Sequence, residues 1–145
     1  MALSDLPGLV IARLRAECAT FSNRVAGTAS EARASEQNQL ALPHAFFMPG
    51  AIEPGEEQLS PLDQEMTVRF RVLIAVDNTS DDRGQAGAAG LYAAAAAVIN
   101  ALVGWVPASG WSAVLCDGLE DSFDNNRAML WGTAEFRVSI MASDL

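Results

Sequence analysis

Two long segments alternate between apolar and polar residues along their whole length. In the segment from Glu65 to Asp77 the apolar set is Met66, Val68, Phe70, Val72, Ile74 and Val76. In the segment from Met129 to Met141 it is Leu130, Ala134, Phe136, Val138 and Ile140. Because side chains of a strand point to opposite faces in turn, this pattern predicts two strands that each bury one face.

Shorter apolar segments predict the remaining strands. Ala45–Met48 has the composition of a short buried strand, and Ala113–Cys116 that of another. Phe21–Ala26 is predicted to be a short extended stretch before Gly27.

Two segments have helical patterns. Leu6, Val10, Leu14 and Cys18 recur every four residues, with Ser4 as the expected N-cap and a helix end near Cys18. The second is an Ala-rich helix that contains Ala93–Ala97 and ends at Gly104, the expected C-cap.

The order of these elements predicts an α+β fold in one domain, residues 1–145. We expect a mostly antiparallel sheet of four strands, or slightly more, with helices packed mainly on one face. Residues 28–40 are predicted to be a polar arm. Residues 49–62, rich in Pro, Gly and Glu, are predicted to be an exposed loop.

The polar faces of the two long strands carry charges at mid-strand. Arg69 and Arg71 lie on one, and Glu135 and Arg137 on the other. If the strands pair, Glu135 can lie between arginines as a cross-strand ion pair. Two interpretations remain open: a solvated sheet face, or a surface used against another subunit.

The charge of the chain excludes several functions. The formal net charge is −9, and all nine basic residues are Arg. A chain this acidic lacks the basic patch of a nucleic-acid-binding protein, and without Lys it has no P-loop or Schiff-base lysine. The uncharged segment from Gln85 to Val103 consists mainly of Ala and Gly, so it predicts a buried helix and no membrane contact. Asp5 and Pro7 argue against a signal peptide.

Candidate chemistry is limited to a few side chains. Two cysteines, Cys18 and Cys116, are too few for a disulfide framework. The only histidine, His44, belongs to no catalytic motif and to no group of residues that could bind zinc. Two acidic clusters can be interpreted as solvated loops or as the site of a small metal-dependent hydrolase. The first cluster consists of Asp77, Asp81 and Asp82, and the second of Asp117, Glu120, Asp121 and Asp124. We favour solvated loops, and predict no enzyme, metal or cofactor.

Several segments in their order resemble a known family. They are Arg24–Gly27, Leu42–Pro49, the strand Arg69–Asp77 with an Arg83-Gly84 turn, the segment Val98–Pro107, and the strand Leu130–Val138. Over residues 5 to 141 the chain resembles the tail terminator proteins of tailed bacteriophages.

This resemblance implies a homohexameric ring on the tail tube at the head-proximal end of the virion tail, assembled in the host cytoplasm. The ring ends tube polymerisation, binds the major tail tube protein and a neck or head-completion protein, and lets DNA pass without specific binding. The family has no catalytic residues. From our own interpretation of the residues, the candidate subunit-interface set is Arg33, Arg69, Arg71, Arg83, Trp105, Glu135 and Arg137. The alternatives are another neck or tail-completion protein in head–tail joining, the metal-dependent hydrolase, and a small ligand-binding module.

Overall fold

The computed structural model describes residues 2–27, 43–55, 63–77, 85–124 and 129–145. These residues form two α-helices and one sheet, with three short 3-10 turns at Leu3–Asp5, Ala19–Phe21 and Ala142–Asp144. The helices are α1 (Leu6–Glu17) and α2 (Gln85–Leu102). The strands are β1 (Val25–Gly27), β2 (His44–Pro54), β3 (Glu65–Asp77), β4 (Leu115–Asp124) and β5 (Met129–Met141).

The sheet has five strands in the order β1-β2-β3-β5-β4. β1 pairs with β2 in parallel, and every other neighbouring pair is antiparallel. The predicted α+β fold is therefore confirmed. The sheet is mixed and five-stranded rather than four-stranded and antiparallel, because the three-residue β1 adds a parallel edge.

The two long alternating segments have the predicted bounds. β3 and β5 pair along their whole length, from Glu65 opposite Met141 to Asp77 opposite Met129. The sequence alternation succeeds here because one face of both central strands is buried and fixes the register.

Both helices pack on the same face of the sheet, as predicted. We call this face the core face and the opposite one the open face. On the core face, the rings of Phe47, Phe70 and Phe136 stack across β2, β3 and β5, with centroid distances of 5.5 and 5.4 Å. Full burial of one such side chain stabilises the fold by about 1.5–3 kcal/mol. The helices bury Leu6, Val10 and Leu14 from α1, and Leu91, Ala94, Ala95, Val98, Ala101 and Leu102 from α2.

The first helix begins later than predicted. Ser4 lies inside the first 3-10 turn, and Asp5 is the residue that precedes α1. The Asp5 carboxylate accepts a hydrogen bond from the Ala2 N–H at 2.9 Å, which stabilises this turn. The predicted end is confirmed, since the Cys18 N–H donates to the Leu14 carbonyl at 2.9 Å.

Only the end of the predicted stretch Phe21–Ala26 is a strand. Ser22 and Asn23 have left-handed backbones, with φ of 47° and 66°. This turn delays the strand until Val25.

The prediction of a loop at 49–62 is wrong for residues 49–54, which continue β2. Pro49 and Gly50 suggest a loop, but the register shifts by one residue between Pro49 and Ile52, which is a β-bulge. β1 ends opposite Phe47, so Pro49 and Pro54 lie in a stretch of β2 that has no described strand on its outer side. Proline is tolerated there because its missing N–H breaks no ladder.

The prediction of a short strand at Ala113–Cys116 is also wrong in its bounds. β4 begins at Leu115 and continues through the acidic stretch to Asp124, paired with β5 throughout. Charged residues are common on edge strands, where they oppose pairing with other chains. The acidic cluster at 117–124 is therefore on a strand and not in a loop.

The Ala-rich helix ends as predicted. α2 ends at Leu102, and Gly104 follows with φ of 83°, the left-handed conformation that terminates helices. No helix in the described part of the chain is long and apolar enough to cross a membrane. The polar arm at 28–40, residues 56–62 of the predicted loop, and Asp81 and Asp82 lie outside the described residues.

Candidate functional site

The open face carries the charged side chains of the two central strands. The register places Arg69 directly opposite Arg137, and Arg71 directly opposite Glu135. The structure thus brings together four of the seven predicted interface residues on one surface.

A bulge in β4 adds a carboxylate to this surface. Cys116 and Gly118 lie opposite consecutive residues of β5, so Asp117 is the extra residue between them. Gly118 has a φ of 136°, a conformation that L side chains rarely adopt. The Asp117 carboxylate accepts a hydrogen bond from Arg69 Nη1 at 2.8 Å and lies 3.4 Å from Arg137 Nε.

A second carboxylate holds Arg69 from the other side. Glu53, near the end of β2, accepts a hydrogen bond from Arg69 Nε at 3.2 Å. This hydrogen bond and the charge of Glu53 raise the pKa of Arg69, with a smaller effect from Asp117. We call Glu53, Arg69, Asp117 and Arg137 the charged cluster.

The predicted ion pair of Glu135 is not what the structure shows. Glu135 lies opposite Arg71, but among the described residues the ion pairs of this face join Arg69 and Arg137 to Asp117, and Arg69 to Glu53. The carboxylate between the arginines is therefore Asp117, because the bulge moves it towards both guanidinium groups. The open face consequently presents paired charges of both signs.

A shallow depression of about 470 Å³ lies beside the charged cluster. Its polar lining includes Glu53, Glu65, Thr67, Arg69, Ser112 and Arg137. Its lining carries both signs of charge, so it has no bias towards an anion or a cation.

The other end of the open face is aromatic. The His44 ring stacks on Phe46 with centroids 4.3 Å apart, and Trp131 lies 6.4 Å from Phe46. Phe46 is fully buried although it is not part of the helix-side core cluster. His44 is thus part of a packed aromatic group.

Trp105 is on the helix side of the molecule, away from the open face. It packs against the core, and the Arg13 guanidinium lies 5.7 Å from its ring centroid, a cation–π distance.

The exposed side of the neighbouring α2 carries no charge. Its exposed residues include Ala89, Tyr92, Ala93, Ala96 and Asn100, of which Tyr92 is 64% exposed. Arg33 and Arg83 lie outside the described residues.

The metal hypothesis gains no support from the described residues. Among them, no group of three or more His, Cys, Asp or Glu side chains is placed to hold an ion. Asp117 is instead engaged by two arginines.

The sequence does not identify Glu53 and Asp117, the two carboxylates of the charged cluster, as partners of its arginines. The prolines around Glu53 favour a loop in the sequence. The acidic stretch around Asp117 favours a solvated loop, although the following Gly118 is a signal for a bulge within a strand.

Comparisons with known proteins agree with this architecture. A family model described as "Phage tail terminator protein" matches residues 2–143. A chain in the virion of a native gene transfer agent (GTA) particle has a similar fold, with a TM-score of 0.62 and 20% sequence identity. The alignment covers 94% of this chain and 95% of that chain, and at this identity the likeness concerns the fold alone. A comparison with curated proteins finds no match.

Proposed function

Because the chain belongs to the phage tail terminator protein family, we propose that it forms a homohexameric ring that caps the tail tube. The ring ends polymerisation of the tube and provides the joint to the neck and head. Its direct partners are copies of itself, the major tail tube protein and a neck or head-completion protein.

The observation that carries this proposal is the extent of the family match. The match leaves out only residue 1 and the last two residues, so it includes both helices and all five strands described above. It therefore covers the fold as a whole rather than one motif.

The surface of the subunit supports an assembling role. Rings of identical subunits join two different surfaces of each copy, head to tail. The subunit offers more than one such surface: the uncharged outer side of α2 with the exposed Tyr92, and the charged cluster of the open face. Neither belongs to the buried core, so both are available for contacts between subunits.

The charge of the subunit suits a ring through which DNA passes. A net charge of −9 per copy repels phosphate, and within the charged cluster Arg69 and Arg137 are paired with carboxylates. DNA then crosses the lumen without specific binding. This role places the protein at the head-proximal end of the tail, with assembly in the host cytoplasm, and requires no catalytic residue.

The mass in solution and the effect on tail tubes test the proposal together. Light scattering over a concentration series is expected to show a species near 92 kDa, which corresponds to six subunits of 15.3 kDa. Adding the protein to polymerising tube protein is expected to shorten the tubes and to leave it bound at one end. Binding to the portal complex with no effect on tube length would contradict tube capping and favour a head–tail joining protein.

A further inference from the structure

The outer side of α2 carries a row of apolar side chains. Tyr92, Ala96, Ile99 and Val103 recur at intervals of three or four residues, so they lie along one side of the helix. Val103 follows the last residue of α2, but its N–H still donates to the Ile99 carbonyl at 2.9 Å and continues the helical turn. Tyr92 and Val103 are both exposed. We call these four residues the α2 ridge.

The α2 ridge faces away from α1. On the side next to α1, the Ala101 carbonyl accepts a hydrogen bond from Arg13 Nε at 3.0 Å. The Ala97 carbonyl accepts one from the Cys18 thiol at 3.4 Å. Each residue of a helix turns by about 100°, so Ile99 lies on the opposite side from both alanines. Since α1 packs against β1 and β2, and α2 against β3, β5 and β4, the ridge faces the β4 side of the molecule.

An apolar depression lies on the β2 side of the molecule, at the first turn of α1. Its volume is about 150 Å³. Leu3, Leu6 and Pro7 line it from the N-terminal segment, and Pro49 and Ile52 line it from β2. An apolar cavity of about 150 Å³ holds one aromatic ring. We call this depression the apolar groove.

The backbone of β2 beside the apolar groove offers mainly hydrogen-bond acceptors. The Gly55 N–H donates to the Glu65 carbonyl of β3 at 2.8 Å. Because backbone groups alternate in direction along an antiparallel strand, those of Ile52 and Pro54 point away from β3. β1 ends opposite Phe47, so no described strand lies on this side. Proline has no N–H, so this edge presents two carbonyls and only the N–H of Ile52.

The ridge and the groove match each other in charge and in size. The α2 ridge has no charged residue, and Arg69, which lines the groove, is paired with Glu53 and Asp117. Subunits with a net charge of −9 repel each other, so copies approach most easily where the facing surfaces are uncharged. Tyrosine is common at the centre of protein contacts, because its ring is apolar and its hydroxyl donates a hydrogen bond. The Tyr92 ring matches the groove, and its hydroxyl matches the carbonyls of the β2 edge.

We propose that neighbouring subunits of the ring join through these two surfaces, with Tyr92 of one copy inserted into the apolar groove of the next. The inference rests on the proposed ring and names the contact that builds it. The ridge and the groove are different surfaces on opposite sides of one subunit. The contact is therefore head to tail, as a ring of identical subunits requires.

Truncation on one surface and charge insertion on the other test the contact. The variants are Tyr92→Ala and Ile52→Glu, and sedimentation velocity measures their assembly. We expect each to weaken assembly at least about tenfold, because an aromatic ring or an apolar wall is lost from the centre of the contact. The matched control is Leu115→Glu, since Leu115 is 48% exposed and Ile52 47%. Leu115 lies opposite Arg137 on the open face, outside both surfaces, so this control should assemble like the wild type.

A disulfide between copies tests the geometry directly. Tyr92→Cys and Ile52→Cys are made as separate proteins, each with Cys116→Ser, because Cys116 is partly exposed whereas Cys18 is buried. The two proteins are mixed with oxidised glutathione at a concentration well above that at which the wild type assembles. The mixture should form a linked dimer that neither protein forms alone. A dimer of Tyr92→Cys alone would show a two-fold contact and contradict the head-to-tail arrangement.

The outcomes separate the contact from the ring. If the wild type assembles but Tyr92→Ala assembles equally well, or if Ile52→Glu is no weaker than Leu115→Glu, the contact is wrong and the ring stands. If Tyr92→Ala assembles normally but no longer binds the ends of tail tubes, the ridge contacts the tube protein and the contact between copies is again wrong. A wild type that stays monomeric at every concentration, both free and with tubes, overturns the ring and the contact together.

Discussion

Arg69 and Arg137 lie directly opposite each other on β3 and β5, and the carboxylate of Asp117 lies within hydrogen-bond or ion-pair distance of both. Two like charges in this position destabilise a sheet unless an opposite charge is near. The bulge in β4 places the Asp117 carboxylate near both guanidinium groups. This carboxylate offsets the repulsion between the arginines of β3 and β5.

Replacing the carboxylate tests this compensation. Asp117→Asn keeps the shape of the side chain but removes its charge, so the two arginines are left facing each other. Because the groups are partly exposed, we expect a loss of about 0.5–1 kcal/mol in the free energy of unfolding, measured by urea denaturation. The loss should shrink at about 1 M salt. Glu120→Gln, on the same strand but without an ion pair among the described residues, is the control. Equal effects of the two substitutions would show that Asp117 is merely solvated.

The bulge in β2 depends on a glycine. A Cβ at Gly50 would lie 2.7 Å from the backbone oxygen of Arg69, which cannot move without disturbing the ladder. We expect Gly50→Ala to lower the free energy of unfolding by about 1–3 kcal/mol.

Gly132→Ala is the matched control for Gly50→Ala. Its Cβ would meet Leu91 Cδ1 at 2.8 Å, which is the far end of a side chain rather than the backbone of the ladder. Thermal unfolding of both variants checks the difference, with Gly132→Ala expected to be the less destabilised of the two, near the lower end of about 1–3 kcal/mol. The steric argument fails if Gly132→Ala is the more destabilised of the two.

Arg71 tests whether the open face takes part in assembly. Arg71→Glu places two acidic residues opposite each other on β3 and β5, but it breaks no ion pair among the described residues. We therefore expect the isolated fold to survive with a loss of under about 1 kcal/mol. Assembly should weaken at least about tenfold if this face lies against a neighbour.

A swapped pair separates the two effects of Arg71→Glu. In the double variant Arg71→Glu with Glu135→Arg, opposite charges face each other again across the strands. Recovered thermal stability with assembly still impaired is the expected result, measured by calorimetry and light scattering. Unchanged assembly of the single variant would show that the face is solvated.

The C-terminal turn is predicted to respond to acid. The Asp63 carboxylate accepts hydrogen bonds from the Ser143 hydroxyl at 2.8 Å and from the Ser143 N–H at 3.0 Å. These two bonds lower the pKa of Asp63 below its ordinary value, with a smaller contribution from the Gln64 N–H. Since the folded-state pKa is the lower one, the stabilisation is complete above the unfolded-state pKa and is lost as the pH falls through the folded-state pKa.

The acid response of Asp63 is measured by NMR titration of its side-chain carboxyl carbon. We expect Ser143→Ala to move the midpoint upward, towards the ordinary value of an aspartate, and to increase amide exchange in residues 142–145. The same midpoint in both proteins would rule out Ser143 as the cause of the shift.

The sequence predicts the bounds of the two central strands, β3 and β5, well. It predicts the bounds of β2 and β4 poorly. β3 and β5 follow the apolar alternation without interruption, and their bounds are those expected. β2 and β4 contain bulges at Gly50 and Gly118, where a glycine within a strand resembles the start of a loop. For the same reason, the sequence does not predict the contacts of the charged cluster. Their geometry depends on the register of four strands and on the bulge at Asp117.

The position of β5 in the sheet has a kinetic consequence. β5 lies between β3 and β4 although it follows both along the chain, and its pairing partners in β3 are about 50 to 75 residues earlier. Folding therefore has to close a long loop before the central ladder forms, which is slow compared with local hairpin formation. Until then β3 presents an unpaired, apolar edge that can associate with other chains. Only copies that have closed this loop hold β1 and β4 at opposite ends of one five-stranded sheet.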